Sequence, residues 1–383
     1  CETVSSPEHP PPRLSEIDWR WALPRLALIF AVTRLLAIMV AAAAEWTHPG
    51  TAELLRVDDR PILSSLTLWD GQYYIGIADD GYHADPSYGP DYAFYPGFPV
   101  LVRLVSLLTF GDLALAAVLA ANLAFAAALV VLYVLSLQYL SRERAILSLW
   151  FLALAPGSVA LALSYTEPLF LLLSAAAFLA AERRHYVWAG VLLALLTLTR
   201  VQGILLILPL WWLIVSRQGW RPSRAWLPLC IAPALVLGWL AWVWWLTGDP
   251  LAPMSAQDYW NPEADVSVAG ESGVDVAEHR MGFAGTGVLA LWIGSIAFYS
   301  FLFVFFRHDR IRPAYWMLAI LTVAAVFLSG SLQSAPRYLA MAWPFAWVLA
   351  NRHSRLGQGL VLVAFAILHV SLLWLAFTWR VPP

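Results

Sequence analysis

The sequence predicts an all-α polytopic membrane protein with about eleven transmembrane helices, and three observations lead to that prediction. Hydrophobic residues make up 61% of the 383 residues, charged residues make up only 13%, and the mean hydropathy is +0.68. Apolar runs of about 20 residues, the length that crosses the hydrocarbon core of a bilayer, recur along the chain. Arginines are grouped in alternate loops between those runs, as the positive-inside rule describes.

Composition also excludes several classes of function. The net charge is −2, from 25 acids and 23 bases, whereas a nucleic-acid partner requires a basic surplus. All 23 bases are arginine, so that Schiff-base catalysis by lysine is excluded. The two cysteines, Cys1 and Cys230, lie in a polar tail and in an apolar run, and they predict neither a disulfide framework nor a cysteine metal site.

The elements follow in order along the chain. Residues 1–21 are predicted to be a disordered cytoplasmic arm, because they contain Pro7 and Pro10 to Pro12. A catalytic transmembrane module follows over 22–247 and includes an outer loop over 45–112, after which come an outer loop over 248–283 and the C-terminal transmembrane helices over 284–383. The predicted spans are 22–44, 113–140, 145–162, 166–182, 187–200, 203–216, 226–247, 284–306, 313–330, 338–350 and 359–379.

The distribution of charge predicts the orientation. Segment 45–95 carries nine acids and two arginines, and segment 248–282 carries seven acids and one arginine. We therefore place both segments on the outer side, with the N-terminus cytoplasmic and the C-terminus outside. The cytoplasmic side then receives fourteen arginines: Arg13, Arg20, Arg142, Arg144, Arg183, Arg184, Arg217, Arg221, Arg224, Arg307, Arg310, Arg312, Arg352 and Arg355.

This assignment of the loops to two sides requires that segment 93–110 does not cross the membrane. Pro96, Gly97 and Pro99 interrupt its beginning and Arg103 interrupts its apolar run, which favours an amphipathic helix in the outer interface. If the segment spans instead, every following loop changes side. Segment 66–82 has apolar and aromatic residues at helical spacing and also predicts a short surface helix.

Ionisable residues at the outer ends of the predicted spans are candidates for function, because such groups are costly in a membrane. They are Glu167, Arg200 and Arg337. The alternatives are that Glu167 only complements a helix dipole before Pro168, and that the two arginines only reach to the interface. We expect Arg34, within the first span, to pair with a buried acid, and His369 to be a packing residue.

Asp70 lies at the predicted start of the helix in 66–82, in a stretch that crowds Trp, Tyr, Gln and Asp together. An aspartate at that position is a good N-cap, and this role needs no catalysis. The aromatic residues around Asp70 suit either a sugar site or anchoring at the membrane interface. The sequence leaves both interpretations of the segment open.

The segments WDGQYYIGIADDGY (69–82) and AFYPGFPVLVRL (93–104) resemble the signature of the PIG-V-type second mannosyltransferases of glycosylphosphatidylinositol synthesis. SYTEPLF, TLTRVQG and SAPRYL are similar to later motifs of that family, and the resemblance extends over about 65–350. The sequence departs from the family at Tyr73 and Tyr74, where relatives often have His-Phe.

The resemblance implies a GT-C glycosyltransferase fold, with juxtamembrane helices in the first outer loop and an acidic catalytic residue there. Asp70 matches the family's Trp-Asp aspartate and is predicted to be the general base of an inverting transfer. Arg337 and Arg200 are predicted to hold the lipid phosphate, and Glu167 to orient them or to bind sugar. The remaining predicted substrate contacts are Trp69, Gln72, Tyr73, Tyr95, Gln202 and Tyr338.

The predicted reaction moves mannose from a polyprenyl-phosphate mannose donor to a hydroxyl of a lipid or glycan acceptor on the outer face. An arginine-rich sequence without lysine suggests the inner membrane of a bacterium. No cofactor and no metal ligands are predicted, although divalent-cation binding at the Asp58-Asp59 or Asp79-Asp80 pair stays open. A transporter of a lipid-linked sugar, a different sugar and a non-catalytic subunit also remain alternatives.

Overall fold

A computed structural model describes residues 11–48, 58–84, 91–220, 223–258, 311–328, 335–352 and 354–378 of the chain. Within those residues the regular structure is helical, with no strand, as the sequence predicts. The helices are α1 (Trp19–Thr47), α2 (Pro61–Leu66), α3 (Asp70–Asp80), α4 (Gly97–Ser106), α5 (Leu113–Ser136), α6 (Arg142–Leu154), α7 (Glu167–Glu182), α8 (Tyr186–Thr199), α9 (Ile207–Arg217), α10 (Ile231–Thr247), α11 (Ala252–Asp258), α12 (Pro313–Leu328), α13 (Ala335–Met341), α14 (Pro344–Ala350) and α15 (Arg355–Phe377).

Four helical stretches in the described part of the chain are long and apolar enough to cross a membrane: Trp19–Thr47, Leu113–Ser136, Arg224–Thr247 and Arg355–Phe377. A fifth arises if α6 and the bent segment that follows it count as one span. The other predicted spans coincide with shorter helices, and 284–306 lies outside the described residues. The protein is therefore a helical membrane protein, and the number of eleven spans stays a prediction.

The predicted span over 145–162 is not one continuous helix. Helix α6 ends at Leu154, and the chain continues at 84° to it as a 3₁₀ helix over Pro156–Ala162, which we call the bent segment. Pro156 has no N–H, and its ring prevents an α-helix from continuing through it. The bent segment is fully buried and is followed by an irregular loop, residues 163–166, that leads into α7.

Helices α3 and α4 of the predicted outer loop are short. With 10 residues, α4 is about 15 Å long, half the thickness of a hydrocarbon core, which agrees with a helix that does not span. Its inner face buries Phe98 and Val102, whereas Val100 and Leu104 are exposed. Arg103 is exposed on the same side as Val100 and Leu104, while the opposite face is buried and apolar, so that an amphipathic helix in the interface stays a prediction.

Helix α7 lies at the centre of the described helices and is in contact with α5 and α8 along its length. Small residues allow this close packing, since Ala175, Ala177 and Ala181 are fully buried. Gly157 of the bent segment lies against α13, where a Cβ would overlap the Pro336 carbonyl group. This contact brings α13 next to the loop that precedes α7.

Candidate active site

Four charged side chains from four separate segments meet at the start of α7. Oδ2 of Asp70 lies 2.5 Å from Nη1 of Arg337, and Nε of Arg337 lies 3.7 Å from Oε1 of Glu167. Oε1 of Glu167 also accepts a hydrogen bond of 2.6 Å from Nη1 of Arg200. The structure thus joins the predicted Asp70, Glu167, Arg200 and Arg337 in one network, which we call the outer cluster.

The four side chains of the outer cluster differ in their exposure to solvent. The Glu167 side chain is 1% exposed and that of Arg200 is 8% exposed, whereas Arg337 is 13% exposed and Asp70 is 24% exposed. Two carboxylates and two guanidiniums offset one another, as burial of charge requires. Because Asp70 is the most exposed member, it is the carboxylate that a molecule outside the protein can reach.

Asp70 is not the N-cap of α3, which corrects the structural alternative from the sequence. Trp69 holds the N-cap position, and Asp70 is the first helical residue. Trp69 has φ 59° and ψ −123°, a left-handed backbone that is unfavourable for a bulky side chain. Its indole N–H donates to the Ala376 carbonyl oxygen at 3.1 Å, and its ring is buried, so that packing holds the strained turn.

Glu167 begins α7 ahead of Pro168, as the dipole alternative describes, but its carboxylate also binds arginine. Arg200 follows the last residue of α8 and donates a second hydrogen bond, of 2.9 Å, to Oγ1 of Thr166. Its guanidinium carbon lies 4.9 Å from the centroid of the Tyr338 ring, a distance typical of a cation–π contact. Neither residue merely caps a helix or extends to the surface.

Two residues that the sequence did not single out complete the cluster. The hydroxyl of Tyr165 accepts a hydrogen bond of 3.3 Å from the backbone N–H of Asp70, and its ring lies 5.7 Å from the guanidinium carbon of Arg337. Thr166 binds Arg200, as described above. Both flank Glu167 in the SYTE motif, and that adjacency is the signal that could have identified them.

The other predicted contact residues lie in four environments. Nε2 of Gln202 donates to the hydroxyl of Tyr338 at 2.9 Å, next to the outer cluster. Tyr73 stacks on Phe94 with 4.9 Å between the ring centroids, and Gln72 is partly exposed on the same helix. Trp69 is enclosed between the first and last helices, so that it has no ring face free for a sugar in this conformation.

Tyr95 lies in a separate aromatic group. It is buried against Trp239, with 6.1 Å between the ring centroids, and Tyr92 packs in the same group. Burial raises the pKa of the Tyr95 hydroxyl to about 12, so that the phenol keeps its proton near neutral pH.

A second buried charged cluster lies at the other end of α7. Glu182 binds Arg217, and it binds Arg312 at 2.6 Å and the hydroxyl of Tyr315 at 2.9 Å. The charge distribution of the loops predicts a cytoplasmic position for both arginines. It does not predict that they bind Glu182. We call this group the inner cluster.

The acidic pair Asp58-Asp59 was one of two that left divalent-cation binding open. Asp58, one of the acids left open for a cation, instead shares Arg60 with Asp112, at 2.5 and 2.7 Å. In the part of the chain that the structure describes, no three His, Cys, Asp or Glu side chains come together as a metal site.

Comparison with known sequences gives a family match over part of the chain. Residues 31–213 match the sequence family described as Mannosyltransferase (PIG-V). The GPI alpha-1,6-mannosyltransferase 2 of Cricetulus griseus is 32% identical over 200 residues, which are 46% of this chain and 40% of the relative. The human protein of that name is 34% identical over 154 residues, 37% of this chain and 30% of the relative.

A fungal relative agrees with these matches. The GPI mannosyltransferase 2 of Cryptococcus neoformans is 31% identical over 147 residues, 36% of this chain and 34% of the relative. The chain thus aligns with less than half the length of these curated relatives.

Solved structures were compared as well. The Archaeoglobus fulgidus oligosaccharyltransferase superposes with a TM-score of 0.47 and 13% identity, over 90% of this chain and 53% of that chain. The same oligosaccharyltransferase, AglB, in complex with an inhibitory peptide and a dolichol-phosphate, gives 0.45 and 13%, over 95% and 56%. Superposition at this level does not assign a common fold.

The sequence match covers the Trp-Asp block at Asp70, the residue Glu167 and the Arg-x-x-Gly motif at Arg200. It therefore includes three of the four members of the outer cluster. Over residues 31–213 the chain is thus similar in sequence to the PIG-V mannosyltransferases, which confirms the resemblance inferred from its motifs.

Proposed function

We propose that the protein is a membrane mannosyltransferase of GT-C type that moves mannose from a polyprenyl-phosphate mannose donor to a hydroxyl of a lipid-linked or glycan acceptor. One observation carries the proposal: Asp70, in the motif that matches the family, is a partly exposed carboxylate held by Arg337 at the edge of a buried ion network. The arrangement offers a proton acceptor and a cation beside each other.

The proposed chemistry is an inverting displacement at the anomeric carbon. The acceptor hydroxyl gives its proton to Asp70, and its oxygen forms a bond to the anomeric carbon on the face opposite the phosphate. The bond between that carbon and the phosphate oxygen breaks, and the electron pair leaves with the polyprenyl phosphate. A phosphate leaving group needs electrostatic stabilisation more than a proton, so that one carboxylate suffices.

Exposure distinguishes the roles of the two arginines. Arg337 is adjacent to Asp70 and more exposed than Arg200, which supports Arg337 as the group that binds the lipid phosphate. Arg200 lies behind it and is bound by Glu167 and Thr166. We therefore assign Arg200 and Glu167 to holding Arg337 in place rather than to direct substrate contact.

The polar and aromatic residues around the cluster complete the proposal. The Gln202–Tyr338 pair lies under Arg200 and supports α13, while Gln72 and Tyr73 on α3 are on the same helix as Asp70 and are candidates for contact with the sugar. Trp69 acts in this proposal by holding the turn before Asp70.

The location is proposed from charge. Asp70 and Glu167 lie at the predicted outer ends of their segments, so that we place the site on the outer face of a bacterial inner membrane with the N-terminus in the cytoplasm. The donor is then a lipid in the same leaflet, and neither a cofactor nor a nucleotide is required.

The test is transfer of radiolabelled mannose from polyprenyl-phosphate mannose by the purified chain and by Asp70→Asn. We expect the variant to lose about 10²- to 10⁴-fold in turnover, the range that general-base catalysis contributes, while donor binding persists. Asp80→Asn is the matched control, because Asp80 is an exposed acid on the same helix.

Near-normal turnover by Asp70→Asn would contradict the assignment of the base. Movement of the labelled lipid across vesicles without any product would instead favour the transporter alternative. Transfer from polyprenyl-phosphate glucose and not from the mannose donor would revise the sugar and leave the site assignment intact.

A further inference from the structure

The bend after α6 leaves irregular backbone within the helical bundle. Carbonyl groups released from an α-helix in this environment must be bound by other protein groups, because lipid offers no hydrogen-bond donors. Within the bend, Oγ of Ser158 donates to the Leu152 carbonyl oxygen at 2.5 Å, which replaces the N–H that Pro156 lacks. The Ala155 carbonyl oxygen accepts from the Ser158 N–H at 2.9 Å, and the carbonyls of Ala155 and Leu161 are both also reached by side chains from other helices.

Arg34 reaches the second of these carbonyls from the middle of α1. Its Nη1 donates to the Leu161 carbonyl oxygen and lies 3.3 Å from Oδ1 of Asn122, while its guanidinium carbon lies 4.6 Å from the centroid of the Phe125 ring. The expectation that Arg34 pairs with a buried acid is therefore wrong: the partners are neutral oxygens and a ring. A charged side chain within a membrane helix is costly, which makes Arg34 a candidate for a function.

His369 reaches the first carbonyl from α15. Its Nδ1 lies 3.3 Å from the Ala155 carbonyl oxygen, so that the proton belongs on Nδ1 in this contact. The side chain is 1% exposed. Arg34 and His369 thus bind the two ends of the bend, from the first and the last helix of the chain.

The bent segment supports the outer cluster at two points. Its continuation through 163–166 carries Tyr165 and leads to Glu167, which contact Asp70 and the two arginines. Gly157 packs against the Pro336 carbonyl group, directly before Arg337. A shift of this segment would therefore displace both sides of the Asp70–Arg337 pair.

We infer that Arg34 and His369 are positioning residues for the candidate active site, because they bind the Leu161 and Ala155 carbonyls and so fix the bent segment that places Tyr165, Glu167 and Arg337. The inference rests on the proposed function for its catalytic consequence. Its structural part, the restraint of 156–166, does not depend on the reaction.

The structural part is tested by hydrogen–deuterium exchange in nanodiscs. Arg34→Met removes the donors at similar length, and we expect faster exchange of the amides of 156–166 with unchanged exchange in α8, which Arg34 does not contact. Arg34→Lys keeps a cationic donor and should restore most of the protection. Arg25→Met is the matched control, because Arg25 lies on the same helix and donates only within it, to the Trp21 carbonyl oxygen, among the hydrogen bonds that the structure describes.

The catalytic part is tested by transfer. Displacement of a reacting group by about 1 Å can cost about 10²-fold in rate, so that we expect Arg34→Met to lose on this order in turnover and Arg34→Lys to regain most of it. Arg34→Met combined with Tyr165→Phe should lose little more than Arg34→Met alone, because both act on the position of Asp70. His369→Leu should act in the same direction and less strongly, and it replaces Arg34→Met if that variant does not fold.

Several results would overturn the inference. They are unchanged exchange in 156–166 for both Arg34→Met and His369→Leu, an equal rise in exchange across α8, losses that multiply in the double variant, or an Arg25→Met variant that behaves like Arg34→Met. If the unmodified protein transfers no sugar, the proposed function fails, and the exchange comparison still decides whether Arg34 and His369 restrain the bent segment.

Discussion

Helix α7 has a buried glutamate at each end, and each glutamate binds two arginines. At one end Glu167 binds Arg200 at 2.6 Å and lies 3.7 Å from Arg337, and at the other end Glu182 binds Arg217 and Arg312. Helix α7 has 16 residues, so that the two glutamates at its ends lie about 22 Å apart along the helix axis. They use the same residue types, and yet only one of them has the arrangement of an active site.

The difference lies in a second carboxylate and in exposure. In the outer cluster Asp70 adds a carboxylate that is 24% exposed and binds Arg337 directly. In the inner cluster the described residues supply one carboxylate, 0% exposed, together with the Tyr315 hydroxyl. A sealed ion cluster can only hold helices together, whereas an exposed carboxylate beside an arginine can also exchange a proton and a ligand.

The largest effect on stability is expected from Glu182→Gln. Removal of this charge leaves Arg217 and Arg312 buried beside each other, and breaking a buried ion pair in this way costs about 3–5 kcal/mol of folding free energy. Thermal unfolding of the purified protein measures the loss. Glu143→Gln is the control, since Glu143 is exposed and binds only the exposed Arg142 among the described ion pairs. Equal stability of the two variants would contradict the structural role of the inner cluster.

Arg337→Ala should act on ligand binding. Loss of a hydrogen bond to a charged group costs about 1.5–3 kcal/mol, so that polyprenyl phosphate should bind about ten- to a hundredfold more weakly, while acceptor binding changes less. Arg312→Ala, at the other end of α7, should lower stability and leave the affinity of the folded protein for the lipid unchanged. Equal losses for donor and acceptor in Arg337→Ala would make Arg337 a structural residue.

Tyr165→Phe sharpens the comparison at a single hydroxyl. It removes the acceptor of the Asp70 N–H, and a net hydrogen bond is worth about 0.5–1.5 kcal/mol, so that turnover should fall by about two- to tenfold. Tyr139→Phe is the matched control near the inner cluster, where Tyr139 packs edge-on against Tyr315. If both variants retain full turnover, Tyr165 does not position Asp70.

The smallest expected effect concerns Arg60, which binds Asp58 and Asp112 outside both clusters. The Arg60 guanidinium holds the pKa of Asp58 and that of Asp112 below their usual range through hydrogen bonds. Because both values are lowered on folding, their contribution to stability is present above the ordinary carboxyl pKa and is lost as the pH falls through the lowered values. The difference in melting temperature between the protein and Arg60→Gln should therefore be small at pH 7 and vanish at strongly acid pH. A difference that grows at acid pH would contradict this sign.

Several features of the fold and the site follow from the sequence because their physical causes are local. Apolar runs predict membrane helices, and the helices described over 113–136 and 355–377 agree with two of those runs. Glu167, Arg200 and Arg337 are charged residues at the ends of apolar runs, and the cost of charge in a membrane is enough to select them. The motif around Asp70 also suffices to recognise the family.

Other features were mispredicted because they depend on packing. The break at Pro156 divided a predicted span, and the left-handed Trp69 displaced Asp70 from the N-cap position. Tyr165 was not predicted, because an uncharged residue in an apolar run does not stand out in the sequence. Its contact with the site is known only from the hydrogen bond between its hydroxyl and the Asp70 N–H.

The sequence by itself thus determined that the protein is a helical membrane protein related to the PIG-V mannosyltransferases and which charged residues deserve a role. Only the tertiary structure decided how those charges are paired. Asp70 and Arg337 are 267 positions apart, and Glu182 and Arg312 are 130 positions apart, so that no local sequence pattern pairs them. Which arginine meets an exposed aspartate and which is sealed against Glu182 depends on the ends of α7 and on the bend that precedes it, because the energy of a charge is set by the partners and the solvent around it.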